Sequence, residues 1–226
     1  MTKYLSIFIP VGAMLAALAL WACLPAERLA DLMTEGGGIE TWTLLAYGAA
    51  LGVLCLAYLD RGKPRPLLAV LLATAFLGAR EMDLHKMLTG TSVLRLSYYV
   101  KAPDVIHKLA AAALVASFFG CVLYLVARYA GRMLRGCRQA EPVALAAAAF
   151  VVTAATAKVL DRTASIVSQD LGWAVSPAVY SLIFSVEECL EFALPVIIAA
   201  AAGRFIRLAP AARAVSAAAS QSNSPG

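Results

Sequence analysis

Six stretches of this chain are long and apolar enough to cross a lipid bilayer, and they leave little else from which to build a domain. A hydrocarbon core of ~30 Å takes about 20 apolar residues as helix. The stretches run Tyr4–Leu24, Glu40–Leu59, Pro66–Leu88, Pro103–Arg128, Pro142–Arg162 and Val179–Phe205. Pro66, Pro103 and Pro142 sit where a first helical turn tolerates a missing donor. Gly36-Gly37-Gly38 breaks the chain before the second stretch, and Gly131 and Gly136 mark a break after the fourth.

Composition excludes a water-soluble alternative. Hydrophobic residues make up 62% of the chain and charged residues 15%, with a mean hydropathy of +0.78. Soluble domains are roughly 45–50% apolar and about 25% charged. The expected fold is therefore all-α, a polytopic membrane bundle of six helices over residues 1–207. The Ala- and Ser-rich stretch 208–226 reads as a disordered tail. Leu20-Trp21-Ala22-Cys23 approximates a lipoprotein cleavage site, but Trp21 is bulky there and the apolar run outlasts a signal core, so the first stretch reads as a true span.

Orientation follows from lysine and arginine outside the spans. One side carries Lys3, Arg61, Lys63, Arg65, Arg128, Arg132, Arg135, Arg138, Arg204, Arg207 and Arg213; the other has Arg28, Arg95 and Lys101. Eleven against three places both termini in the cytoplasm, and Ala- and Arg-rich usage fits a bacterial inner membrane. The net charge of +5 is then a topology signal and calls for no nucleic-acid partner. The five cysteines form no C-x-x-C pair; Cys23 falls near the outer face and Cys137 on the cytoplasmic side, and Cys55, Cys121 and Cys189 read as small apolar filler within the spans.

Charge inside the membrane is concentrated in one place. The third span ends Arg80-Glu81-Met82-Asp83-Leu84-His85-Lys86, and the fourth begins with Lys101, Asp104, His107 and Lys108. The fifth ends Lys158-Val159-Leu160-Asp161-Arg162, and the sixth carries Glu187, Glu188 and Glu191. All four sets fall in the outer half of the bilayer. Six cations there nearly balance seven carboxylates. Glu81 and His85 share a helix face, as do Glu187 and Glu191. Glu191 lies roughly 17 Å below the outer end of its span, where an unpaired carboxylate costs at least ~2.5 kcal/mol. Pro195 also leaves the Glu191 carbonyl without its helical donor.

Three readings are open. A salt-bridge network stitching four helices is the structural one, although buried ion networks add little net stability over apolar packing. An enzyme acting on a lipid or amphiphile of the outer leaflet is the leading one, with Glu81, His85, Asp161, Glu187 and Glu191 as acid–base groups. In that reading His85, His107, Glu187 and Glu191 are candidate ligands for zinc or iron, and Arg80, Lys158 and Arg162 candidate anion holders. No H-x-x-x-H or H-E-x-x-H supports the metal, and haem between His85 and His107 fits badly with so many carboxylates. The alternative function is a proton- or ion-coupled transporter with titrating Glu187 and Glu191. Tyr98, Tyr99 and Trp173 suit an interfacial belt. Gly48-x-x-x-Gly52 permits close helix approach, within the bundle first and between copies second.

Overall fold

The computed structural model describes residues 4–34, 36–84, 96–101, 105–167 and 175–222. Those residues form helices and turns, with no strand among them. The helices are α1 (Leu5–Cys23), α2 (Ala26–Met33), α3 (Gly38–Asp60), α4 (Arg65–Glu81), α5 (Leu96–Lys101), α6 (Val105–Arg138), α7 (Pro142–Ser165) and α8 (Pro177–Ser222). Among the described residues, five segments are long and apolar enough to cross a membrane: Leu5–Cys23, Ala26–Asp60, Val105–Arg138, Pro142–Thr163 and Pro177–Arg207. The protein is an all-helical membrane protein. Side chains of α8 are described as far as Arg207.

α8 is the central element. It packs against α1, α3 and α7, and further contacts of α3 with α4, α4 with α6 and α6 with α7 close a ring of five helices. α1 lies outside the ring against α8 and α7. The residues of α8 that meet these neighbours include Ser185, Leu190, Pro195 and Ile197, all fully buried. α3 answers with Thr43, Tyr47, Ala50, Leu54 and Ala57, one face at helical spacing. Buried Thr43, Thr74 and Ser185 donate their hydroxyls to carbonyls four residues back, at 2.9, 2.8 and 2.7 Å, so their polarity is absorbed locally.

Four features depart from the sequence reading. The third span stops at Glu81, seven residues early, because Asp83 takes a left-handed φ of 47° and its N–H turns back to the Arg80 carbonyl. The fourth runs on to Arg138 through Gly131 and Gly136. Gly136 remains helical because it touches the start of α7: a Cβ there would lie 2.8 Å from the Ala144 Cβ. α2 is an additional short helix whose Leu29 and Met33 pack on Ala17 and Cys189. Gly48 and Gly52 face away from the bundle, with nothing within 4 Å of an added Cβ, so intramolecular packing does not explain them.

The C-terminal end of α1 is braced on the start of α8. The Trp21 indole N–H donates to the Ala178 carbonyl at 3.2 Å and the Ser181 hydroxyl at 3.1 Å. At the opposite end Arg61 donates to the Phe205 carbonyl at 2.6 Å and lies 4.3 Å from the centre of the Phe205 ring.

Candidate functional site

The charged residues of three helices meet at Glu191. Arg80 ends α4, Lys158 lies near the end of α7, and both reach Glu191 Oε1 on α8, at 3.6 Å from Arg80 Nη2 and 3.9 Å from Lys158 Nζ. Both distances allow ion pairing and exceed good hydrogen-bond geometry. Lys158 spends its short contact elsewhere, 2.6 Å to Asp161 Oδ2, one turn along its own helix. The Glu191 side chain is 16% exposed, whereas those of Arg80 and Lys158 are 33% and 49% exposed. The carboxylate is thus the enclosed partner and the cations approach it from the more open side.

Glu81 follows Arg80 and has Glu191 as a charged neighbour. Glu187, one turn from Glu191, has Asp161, Lys158 and Arg80 as charged neighbours. Glu188 faces round the helix toward Glu81 and Glu40. Among the described residues, Glu81, Asp161, Glu187, Glu188 and Glu191 therefore gather around Arg80 and Lys158, and acids outnumber bases. The near balance expected from sequence does not extend to this inner group. Arg162 is exposed on α7 beside the cluster, and His107 is exposed at the start of α6. His85, Lys86 and Asp104 lie outside the described residues.

The metal reading loses its support here. No three His, Cys, Asp or Glu side chains converge as a metal site among the described residues. His107 is carried by α6, which packs on α4 and α7, while Glu187 and Glu191 are on α8. Arg80 and Lys158, two of the three candidate anion holders, share Glu191 as their counter-charge across the helices.

One neighbour of the site was missed by sequence reasoning. Tyr47 is 4% exposed and lies at the middle of α3. Its ring rests on Gly78, where an added Cβ would stand 3.3 Å from the Tyr47 Cβ and 3.4 Å from its Cγ. Glu81, Glu191 and Arg80 are its charged neighbours. A tyrosine at mid-span, away from the interfacial belts that aromatic residues favour, was the available signal. Directly below the cluster, α8 continues unbroken through Pro195, so the Glu191 carbonyl has no backbone donor four residues on. Comparison with protein-family models, with curated proteins and with solved structures returned no match.

Proposed function

We propose that this chain is a multi-pass protein of a bacterial inner membrane, with both termini in the cytoplasm, whose outer half holds an acid–base site for a lipid or other amphiphile of the outer leaflet. The orientation rests on the lysine and arginine asymmetry. α4 acts as the sixth span: its 17 residues cover about 25 Å, a shortfall that local thinning and snorkelling side chains absorb.

The observation that carries the reading is the meeting of Arg80 on α4 and Lys158 on α7 at one enclosed carboxylate, Glu191 on α8. Glu81 and Glu187 are its charged neighbours, so several carboxyl groups stand at one place, the residue type that acid–base catalysis uses. Arg80 and Lys158 offset the negative charge of Glu191. Lys158 and Asp161, at 49% and 39% side-chain exposure, leave the flank of the site open to an amphiphile.

A second reading, proton- or cation-coupled transport, is favoured by the excess of carboxylates over cations. Reconstituted protein in vesicles of bacterial lipid extract tests both. Wild-type-dependent change in a lipid, read by mass spectrometry and lost in Glu191→Gln and Glu81→Gln, supports the enzyme. Glu191-dependent proton flux with unchanged lipids moves the conclusion to transport. Neither signal rejects both.

A further inference from the structure

The arginines at the far end of α6 have no use in the site above, and their depth is unusual. Arg128, Arg132 and Arg135 are all exposed and lie at helical spacing on one stripe of α6. The packed face lies about a quarter-turn round the helix from the middle of this stripe: Phe118 stacks on Phe76 of α4 with ring centres 4.2 Å apart, and Gly136 closes on Ala144 of α7.

Contacts between helices set the depth of this stripe. Lys158 and Glu191 meet at one level. Ala144 stands fourteen residues from Lys158, and Phe205 fourteen residues from Glu191. Both therefore reach a common level about 21 Å away, where Arg61 binds Phe205 and the charged turn Asp60–Arg65 begins. Gly136 touches Ala144 and shares that level. Arg128 is eight residues back toward the membrane centre, about 12 Å inside it, and Arg132 about 6 Å.

Guanidinium groups at that depth need a counter-charge. Among the described residues, no carboxylate lies within ion-pair distance of these three arginines. Arg132 finds only the face of Tyr129, 5.6 Å from the ring centre. Arginine stems lie along apolar surface and carry their heads toward the interface, and the guanidinium fork matches phosphate oxygens two at a time. A second copy packed in parallel would bring like charges together. We infer that Arg128, Arg132 and Arg135 form a binding stripe for the phosphate groups of anionic phospholipids, drawn into the leaflet at the Arg61–Phe205 end of the bundle.

The test is native mass spectrometry and lipid titration of the full chain in nanodiscs of phosphatidylcholine, with or without phosphatidylglycerol. Juxtamembrane cations contribute about 1 kcal/mol each to anionic lipid binding. The triple change Arg128→Gln, Arg132→Gln, Arg135→Gln is thus expected to weaken phosphatidylglycerol retention on the order of a hundredfold. The triple lysine variant keeps most of it. Single glutamine variants, each with a several-fold loss, carry the test if the triple variant does not fold. Undiminished retention by the folded glutamine variants overturns the inference, and so does equal retention of phosphatidylcholine. A stripe saturated by soluble glycerol phosphate or by a polynucleotide, with no preference for the lipid, overturns it as well.

Discussion

Arg80 on α4 and Lys158 on α7 share a single carboxylate oxygen, Glu191 Oε1 on α8, although neither helix neighbours the other in sequence. Glu191 is therefore both the tie between three helices and the most enclosed member of the pairing. The surrounding acids make its removal and the removal of a cation unequal.

Glu191→Gln leaves Arg80 and Lys158 with Glu81, Glu187 and Asp161 close by, so neither cation is stranded. The expected loss of stability is under about 1 kcal/mol, within the range of weak ion pairs. Arg80→Met instead withdraws one of two positive charges from five carboxyl groups, and leaving half-enclosed acceptors without their partner costs about 1–3 kcal/mol. Thermal unfolding in detergent should show a clear drop for Arg80→Met and a small one for Glu191→Gln. The reverse order would show that Glu191 outweighs Arg80 in holding the three helices together.

Gly78 gives a second measurable contact. A methyl group at this position presses on the Tyr47 Cβ at 3.3 Å and Cγ at 3.4 Å. Overpacking of this kind costs about 1–3 kcal/mol. Gly78→Ala should destabilise the protein and displace α4, and Tyr47→Ala should relieve part of that cost. A double-mutant cycle with additive effects would show that α3 and α4 do not meet through this pair.

How far the fold and site were legible in sequence depends on which signal each part sends. Span-length apolar runs announce helices because lipid leaves the backbone no other partner; α1, α3 and α7 lie where the runs placed them, and α8 starts there but continues past Phe205 to Ser222. The meeting of Arg80 and Lys158 with Glu191 followed from equal depth and the expense of charge in lipid. Helix ends were harder. The stop at Glu81 rests on one left-handed residue, Asp83, and the continuation through Gly136 rests on contact with Ala144, a neighbour in space. The packed face of α3 was hidden for the same reason, so Tyr47 stood out only by its depth and Gly48 and Gly52 could not be seen to point outward: an apolar helix looks alike on every side until its packed face is known. The histidines gave the least. Their ligand chemistry was visible in sequence, but His107 is carried on a helix away from the α8 carboxylates.

Arg61 fastens the α3–α4 turn to α8. It donates to the Phe205 carbonyl at 2.6 Å and covers the Phe205 ring at 4.3 Å. A charged hydrogen bond and a cation–π contact together contribute roughly 2–3 kcal/mol. Arg61→Gln should lower the unfolding temperature and speed proteolysis within the segment after Phe205. Unchanged protection of that segment would show the contact to be incidental.

Two cysteines report the orientation. Cys23 is exposed at the α1 end nearest the charged cluster, and Cys137 lies at the opposite end with its thiol 3.4 Å from the Ala144 carbonyl. A membrane-impermeant maleimide should label Cys23 in spheroplasts and reach Cys137 only after permeabilisation, slowly because the thiol is half covered. Rapid labelling of Cys137 from outside would invert the protein and put the Glu191 site in the cytoplasmic half.

Pro195 separates structure from function most sharply. A proline inside a helix loses one backbone hydrogen bond and crowds the preceding turn, at about 3 kcal/mol relative to alanine. It stands here fully buried and one turn below Glu191, whose carbonyl it leaves without a donor. Pro195→Ala supplies the missing N–H and removes part of a buried ring, and the two effects oppose each other. The first is the larger, since the change removes two ring methylene groups at about 0.8 kcal/mol each. The variant should therefore unfold at the same or a higher temperature. If the unpaired carbonyl helps to hold the proton or polar group handled by Glu191 and Glu81, the same variant loses activity despite its stability. A Pro195→Ala protein that unfolds earlier and keeps its full activity would show that the proline is retained for packing against its neighbours alone.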